Sequence, residues 1–244
     1  MDNVSLKEYI KTKYAEVSSG TKKACCGNKS MVYYGENELK AVSKDMYMGV
    51  SCGNPTAIAG LKEGEVVLDL GSGGGLDCFL AAQRVKDKGH VIGVDMTTAM
   101  IEKARKNLEE LGLKNVEFRL GEIETLPVDN ESIDVVISNC VINLSQDKPK
   151  VFKEIYRVLK KKGKACISDI VLAGSLPEDI QRSMEAWANC ISGALLKDTY
   201  LGLAKKAGFE GIRIEKEVPF AKEDLDEQIK DKALSLSYVL YKDI

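Results

Sequence analysis

Histidine is almost absent, since His90 is the one histidine among 244 residues. This scarcity excludes metal sites built from several imidazoles. The chain also has no basic excess, with 35 lysines and arginines against 37 aspartates and glutamates, which argues against a dedicated nucleic-acid-binding protein. No apolar run approaches the ~18 residues that a membrane-spanning helix needs. We therefore expect neither a nucleic-acid partner nor a membrane partner.

A secretory signal is another missing feature, because the first residues, MDNVSLKEYIKTKY, are polar and charged. This start predicts a cytoplasmic location. In that compartment the seven cysteines do not indicate a disulfide framework. We expect them to be buried core residues, ligands of a metal or metalloid, or reactive thiols.

The chain changes character near residue 53. An amphipathic helix is predicted at about residues 4–19, and the stretch up to residue 53 consists of short polar and aromatic pieces separated by glycines. This stretch carries Cys25, Cys26 and Cys52. We interpret residues 1–53 as a helix and a cysteine-bearing cap arm, and residues 54–244 as the main domain.

The main domain alternates between strands and helices. Buried strands are predicted at 65–70, 90–95, 115–120, 132–138 and 164–172, with helices between most of them, one of them around 148–161. This order is typical of a doubly wound α/β domain with a mostly parallel sheet and right-handed crossovers. A helical insertion near 177–207 follows. Two more strand candidates, 211–218 and 234–242, are predicted to form an antiparallel edge, which brings the sheet to seven strands.

A glycine-rich turn follows the first strand and opens a helix. It reads Gly71-Ser72-Gly73-Gly74-Gly75, and glycines there let backbone N–H groups approach a ligand closely. Asp95 stands 20 residues after Gly75, at the end of the next strand. A carboxylate at that position accepts hydrogen bonds from ribose hydroxyls. The turn and its acid together predict an adenosine-containing cofactor.

Three residues around the turn disfavour a dinucleotide. Leu76 occupies the position where nicotinamide-binding turns usually keep a further glycine. Asp69 and Asp77 bring negative charge to the place where a pyrophosphate would sit, whereas a sulfonium carries no such anion. The wording VLDLGSGGG resembles the first motif of class I S-adenosylmethionine-dependent methyltransferases, which have a Rossmann-like fold. Asp69 can also be explained as a turn or helix-cap carboxylate.

The resemblance to class I methyltransferases extends to other segments. The segment after the third strand, 121–124, resembles the one that holds the adenine, and the last two strands resemble the antiparallel edge hairpin of that fold. The cofactor-binding residues predicted on this basis are Asp69, Gly71, Ser72, Gly73, Asp95, Met96, Glu122, Ile123 and Asn139.

Three cysteines lie where the predicted fold can bring them together. Cys140 follows the fourth strand, Cys52 belongs to the arm and Cys190 to the helical insertion. They are too far apart in the chain for a local zinc knuckle, but each belongs to a segment that can overhang the carboxyl edge of the sheet, where ligands of α/β proteins bind. A set of thiolates suits a soft, thiophilic ligand. Cys78 and Cys166 lie in apolar patterns and are predicted to be core residues.

Longer segments are similar to the arsenite methyltransferase family. They are SCGNPTAIAGLKEGEVVLDLGSGGGLDCF, GVDMT, NVEFRLGEIETLPV, DVVISNCVINLSQDK and ISDIVL, and the resemblance runs from the Cys25-Cys26 pair to about residue 215. It implies that Cys52, Cys140 and Cys190 hold trivalent arsenic as thiolates and that S-adenosylmethionine methylates it. It also implies turnover that depends on a thiol reductant of glutathione or thioredoxin type. Cys25, or its neighbour Cys26, is then expected to join a disulfide or reduction step.

The implied reaction needs no histidine base, because the arsenic lone pair attacks the methyl group and no proton leaves the nucleophile. Two features depart from the family: Ser51 replaces the usual glycine before the cysteine, and the chain ends soon after its last strand. Two other functions stay open. One is a class I methyltransferase for a small organic acceptor, and the other is a non-catalytic, thiol-based metalloid binder.

Overall fold

The structure is a computed structural model that describes residues 3–22, 33–35, 38, 42, 46–220 and 227–243. Two of the predicted functional cysteines, Cys25 and Cys26, lie outside the described residues. Of the predicted cap arm, the structure therefore describes the first helix and separate later pieces, including the stretch 46–53 that carries Cys52.

A seven-stranded sheet forms the centre of the molecule. Its spatial order is β3-β2-β1-β4-β5-β7-β6. The first five strands in this order pair in parallel, while β7 runs antiparallel to both β5 and β6. The predicted doubly wound sheet and its antiparallel edge are confirmed. The strands are β1 (Val66–Leu70), β2 (His90–Asp95), β3 (Val116–Leu120), β4 (Ile133–Asn139), β5 (Leu159–Leu172), β6 (Gly211–Pro219) and β7 (Ala233–Tyr241).

Helices flank the sheet, and the polar residues before them explain where several begin. Asn54 and Asp147 each accept a backbone N–H from the first turn of a helix that opens with proline or Lys-Pro. The described helices are α1 (Asn3–Ser18), α2 (Pro55–Ala59), α3 (Leu76–Val85), α4 (Thr98–Leu111), α5 (Lys148–Val158), α6 (Glu178–Gln181), α7 (Met184–Ala188), α8 (Lys197–Lys206) and α9 (Glu227–Lys230). Among them, no helix is long and apolar enough to cross a membrane.

The two faces of the sheet bury separate apolar clusters. On one face α5 and α8 contribute side chains such as Phe152 and Tyr200. On the other face α3 and α4 contribute side chains such as Phe79 and Ile101. Consecutive sheet residues alternate between the clusters, as Val67 and Leu68 do, because side chains along a strand point to opposite faces.

Two predicted boundaries are wrong. The helix expected around 148–161 ends at Val158, and β5 begins at Leu159 rather than at residue 164. Leu159 is fully buried and pairs with Ile133 at the edge of β4. The helix propensity of the lysines at 160–162 favours a longer helix, but burying Leu159 in the sheet stabilises the strand more. The first part of the helical insertion predicted near 177–207 consists of the two short helices α6 and α7, and α8 follows.

The apolar cluster under α5 gives a stability prediction. Phe152 is fully buried, and its ring meets Tyr200 edge to face with 5.5 Å between the ring centres. Phe152→Ala should lower the free energy of unfolding by about 3–5 kcal/mol, because it leaves a cavity that rigid neighbours cannot fill. Urea denaturation measures this change. The control, Ile214→Ala on the edge strand, removes a side chain that is 45% exposed and should cost less than about 1 kcal/mol. Equal losses for the two variants would contradict the core assignment.

Candidate active site

A cavity opens at the carboxyl edge of the sheet, where the strand order reverses between β1 and β4. It contains about 750 Å³ of space between protein atoms, including its open mouth. Loops that follow β1, β2, β3 and β4 form its floor, and α1 and the arm form its walls. The lining includes Lys7, Ile10, Tyr14, Met48, Val50, Gly71, Gly73, Asp95, Met96, Thr97, Met100, Gly121, Ile123, Glu124, Asn139, Cys140, Val141, Leu144 and Ser145.

The glycine turn brings backbone close to this cavity. Gly71 has φ of +65°, and a Cβ atom there would lie 2.4 Å from the Val141 side chain, so only glycine fits without displacement. The Gly73 N–H donates to Asp95 Oδ2 at 3.0 Å, and the Thr97 N–H donates to Asp95 Oδ1 at 2.8 Å. Burial raises the pKa of Asp95 while these backbone N–H donors lower it. The carboxylate is thus held in a fixed orientation at the mouth of the turn.

Most predicted cofactor residues face the cavity, but three do not. Gly71, Gly73, Asp95, Met96, Ile123 and Asn139 line it. Asp69 is buried within β1, where it accepts a hydrogen bond from the Cys78 thiol at 3.2 Å, and Glu122 forms an ion pair with Lys7 at 2.8 Å. Ser72 is buried, and among the described residues its hydroxyl has no hydrogen-bond partner. Cofactor contacts of these three residues stay predictions.

The wall made by α1 was not foreseen from the sequence. Lys7, Ile10 and Tyr14 face the cavity from this helix. Leu6 and Ile10 are buried in a small cluster with Ala188 of α7, which fixes the helix against the rest of the molecule. The sequence pattern shows that α1 is amphipathic, but it does not show which surface the helix covers.

The three predicted acceptor cysteines meet beside the cavity. Cys52, Cys140 and Cys190 belong to one buried cluster, and Cys140 also lines the cavity. The Cys190 thiol donates to the carbonyl oxygen of Cys140 at 2.9 Å. Cys78 and Cys166 are buried elsewhere, in the core under α3, as predicted.

The structure corrects the expectation that the cysteines are separate thiols. Cys52 and Cys140 form a disulfide with 5.9 Å between their Cα atoms. Each backbone is held in place: Cys140 N–H donates to Ser168 O at 2.9 Å, and Cys52 O accepts from the Ser235 hydroxyl at 2.6 Å. Held this close, the two sulfurs can form a bond, and in this oxidised form neither is a thiolate.

Two of these cysteines have an unusual backbone. Cys140 has φ of +59° and Cys190 has φ of +64°, a left-handed conformation that glycine favours. Such a conformation costs about 1–2 kcal/mol for a residue with a side chain and persists only where the surroundings impose it.

A buried charged network lies next to the disulfide. A carboxylate oxygen of Asp169 lies within 4.8 Å of the sulfurs of Cys52 and Cys140. This carboxylate accepts hydrogen bonds from the Tyr200 hydroxyl at 2.9 Å and the Asn143 amide at 2.8 Å. Burial raises the pKa of Asp169 to about 6 despite these donors. Sequence reasoning missed Asp169, because a lone acid inside an apolar strand carries no periodic signal.

Lys148 is the buried cation of the same region. Its ammonium donates to the carbonyls of Ser145 and Asn143 at 2.7 and 3.3 Å. Desolvation lowers its pKa to about 8, although the negative charge of Asp169 acts in the opposite direction. Its position at the start of α5 gives no hint of burial, since lysine at a helix terminus is commonly exposed.

The low pKa of Lys148 gives a pH-dependent prediction. Between about pH 8 and the usual lysine pKa of 10.5, the unfolded chain holds a proton that the folded protein has released. The Lys148 contribution to the free energy of unfolding should therefore rise with pH in this window, by up to about 1.4 kcal/mol per pH unit. Lys148→Met should lack this contribution, so its free energy of unfolding should rise less, or fall more, with pH than that of the wild type. Urea denaturation from about pH 7.5 to about pH 10 measures the difference.

Lys160→Met is the matched control, because the Lys160 side chain is 40% exposed and pairs with Asp134 at 2.8 Å. It should keep the pH dependence of the wild type. Parallel stability curves for wild type and Lys148→Met would show that Lys148 is charged throughout this range.

The sheet order, the glycine turn with Asp95 and the cavity at the switch point define the class I methyltransferase fold. Comparison with known proteins narrows this class. A family model for the methyltransferase domain matches residues 61–208. The arsenite methyltransferase of Halobacterium salinarum is 49% identical over 181 residues, which are 74% of this chain and 46% of that protein.

Two further relatives cover more of this chain. The arsenite methyltransferase of Aquipseudomonas alcaligenes is 36% identical over 232 residues, which are 90% of this chain and 66% of that protein. The crystal structure of an arsenic(III) S-adenosylmethionine methyltransferase from Chlamydomonas reinhardtii superposes with a TM-score of 0.70 and 35% identity. It covers 88% of this chain and 73% of that one. This chain belongs to the methyltransferase-domain family and, within it, to the arsenite methyltransferases.

The match spans about half the length of the Halobacterium protein and about two thirds of the Aquipseudomonas protein. Family membership therefore rests on the methyltransferase domain and the arm before it.

Proposed function

We propose that this protein transfers the methyl group of S-adenosylmethionine to trivalent arsenic held by Cys52, Cys140 and Cys190. The observation that carries the proposal is the meeting of these cysteines, from three distant segments, in one buried cluster at the wall of the cavity. The relatives named arsenite methyltransferases support the same substrate.

The cavity suits S-adenosylmethionine. Cβ atoms at Gly73 and Gly74 would each lie 3.2 Å from the end of the Met48 side chain, so the glycines keep a narrow space open. Asp95 stands where a carboxylate accepts bonds from ribose hydroxyls, and Ile123 offers an apolar surface for an adenine. When bound, this cofactor supplies an electrophilic methyl group on a positively charged sulfur. We assign Met96 and Asn139, which also line the cavity, to its remaining contacts.

Arsenic binding requires free thiols, so the Cys52–Cys140 disulfide must first be reduced. A dithiol or two thiols provide the two electrons and two protons and become a disulfide themselves. We propose a reductant of glutathione or thioredoxin type, with Cys25 or Cys26 as the thiol of this chain that takes part in the exchange. This requirement also favours the reducing cytoplasm as the location.

The main contribution of the protein to this reaction is to position the arsenic next to the cofactor site. Three thiolates bind arsenic after losing their protons, and the departing arsenic hydroxyls leave as water. The arsenic lone pair is the nucleophile, so no side chain has to remove a proton from it in the transfer step. Cys140 directs the bound arsenic toward the cavity, because it belongs to both the cysteine cluster and the cavity wall. These residues would place the bound arsenic in line with the methyl group of the cofactor, which is how positioning speeds a displacement.

Asp95 generates the first test. Asp95→Ala should weaken S-adenosylmethionine binding by about 1.5–3 kcal/mol, the size of hydrogen bonds to a charged group. Calorimetry on the reduced protein measures the affinity. Arsenite binding, followed separately, should stay intact because Asp95 does not belong to the cysteine cluster. An unchanged cofactor affinity would refute the ribose assignment.

The cysteines generate the second test. X-ray absorption of the reduced, arsenic-loaded protein should show three sulfur ligands. Cys140→Ser and Cys190→Ser should each remove one sulfur and lower arsenite methylation at least ~10-fold, because a hydroxyl is a hard, poorly ionised donor for a soft centre. Mass spectrometry of the products, with labelled S-adenosylmethionine, follows the reaction.

Cys166→Ala is the control, since Cys166 is buried in a different cluster and should keep all three sulfurs. A first shell dominated by oxygen, together with intact cofactor binding, would favour an organic acceptor. Arsenic binding without cofactor binding would favour the non-catalytic metalloid binder.

A further inference from the structure

A buried tyrosine of the arm has no role in the steps above. Tyr34 is 5% exposed, and its hydroxyl lies 3.1 Å from both carboxylate oxygens of Asp77 and 3.1 Å from the Ser51 hydroxyl. Desolvation and the Asp77 charge raise the pKa of Tyr34 well above its usual value. The hydroxyl therefore stays protonated and donates a hydrogen bond to the carboxylate. A neutral donor next to a buried acid forms a charge-assisted hydrogen bond, which is stronger than a neutral one.

Asn139 connects this tyrosine to the arsenic-binding arm. Its amide nitrogen shares two hydrogens among three acceptors, namely Tyr34 Oη at 3.0 Å, Gly53 O at 2.9 Å and Asp77 Oδ2 at 3.2 Å. Its amide oxygen accepts the Cys52 N–H at 3.2 Å. The backbone on both sides of the Cys52 side chain is therefore bonded to one amide, and Cys140 is the next residue along the chain from that amide.

Asp77 anchors the group to the main domain. It lies in the first turn of α3 and is buried, with Tyr34 and Asn139 as its side-chain donors. Burial raises the pKa of Asp77 to about 6, although both donors favour the charged form. The group thus spans three segments, namely the arm, the start of α3 and the end of β4.

We propose that Tyr34 is a positioning residue that acts through Asp77 and Asn139 to hold Cys52 against Cys140. Its importance for methylation rests on the proposed function, but its effect on the two sulfurs does not. In the reduced protein these hydrogen bonds restrict the arm, so the two thiols are already close before they close on a ligand or on each other. Loss of the Tyr34 hydroxyl should let the reduced arm spread over more conformations.

The Cys52–Cys140 disulfide provides a direct readout. The protein is equilibrated with mixtures of dithiothreitol and its cyclic disulfide. Reduction moves two electrons and two protons from the dithiol to the two cysteines and closes the cyclic disulfide. Alkylation and peptide mass spectrometry then give the fraction of this particular disulfide.

Tyr34→Phe should raise the equilibrium constant for reduction about tenfold, because the two thiols of the less restricted reduced arm meet less often. Asp77→Asn, which keeps the shape but removes the charge, should raise it about threefold. The double variant should not exceed about tenfold, because both changes break the same connection and their effects do not multiply. Tyr156→Phe is the control. Tyr156 lies near the end of α5, and its hydroxyl donates to Asp243 at 3.3 Å. The equilibrium constant for this variant should match that of the wild type.

A second measurement distinguishes a specific effect on the position of Cys52 from a general loss of structure. With the reduced enzyme, Tyr34→Phe should raise KM for arsenite about tenfold and leave KM for S-adenosylmethionine within twofold. A change in both constants, or in neither, would overturn the proposal. So would an equilibrium constant within twofold of the wild type, or effects of the two variants that multiply to about thirtyfold.

The Asp77→Asn variant decides the matter if Tyr34→Phe does not fold. A threefold shift supports the connection, and an unchanged constant overturns it. The disulfide measurement uses neither arsenic nor S-adenosylmethionine. Failure of the proposed function would therefore appear as absent methylation with the redox shifts intact, whereas failure of this inference would appear as unchanged redox constants in an enzyme that methylates arsenic.

Discussion

The hydrogen bond from the Cys140 N–H to the Ser168 carbonyl marks the point on which the site depends. It extends the β4–β5 pairing by one residue, just as the backbone of Cys140 turns into the left-handed region. This turn ends the strand and directs the next residues over the carboxyl edge of the sheet. Asn139 on one side of the turn and Cys140 at it both face the cavity. The cofactor site and the cysteine cluster therefore share one short segment of chain.

Buried charge surrounds this segment on both sides. Asp69 and Asp77 lie under the glycine turn, and Asp169 and Lys148 lie near the cysteines. Burial raises the pKa of each of these acids and lowers the pKa of Lys148. A domain of this size does not need ionisable groups in its interior for stability, since apolar residues of similar volume serve as well or better. Their concentration around one cavity is typical of functional sites.

The described part of the arm meets the main domain through apolar packing, in which Tyr34, Val42 and Met46 join the cluster under α3, and through polar contacts. Tyr34 and Gly53 are bonded to the Asn139 amide, and Cys52 is joined to Cys140 by the disulfide. Gly53 is required at its position, because a Cβ atom there would lie 2.5 Å from the Ser168 side chain. The close approach of the arm to β5 and the convergence of cysteines from separate segments have the same cause. The arm packs closely over the carboxyl edge of the sheet, and this brings Cys52 within bonding distance of Cys140.

The sequence by itself determined the elements whose signals are local. Buried strands appear as apolar runs, the Gly71–Gly75 turn as its glycines, and Asp95 by its fixed distance from that turn, because each depends on neighbouring residues and a constant spacing. The resemblance to a family, rather than any local pattern, predicted that Cys52, Cys140 and Cys190 form one site. Only the tertiary structure decided that two of them are bonded and that Asp69 accepts from Cys78 instead of lining the cavity. It also decided that Tyr34 bonds to Asp77, that Asp169 lies beside the disulfide and that Lys148 is buried. These features depend on contacts between residues far apart in the chain, and no local pattern encodes which partner a buried polar group meets when the sheet closes.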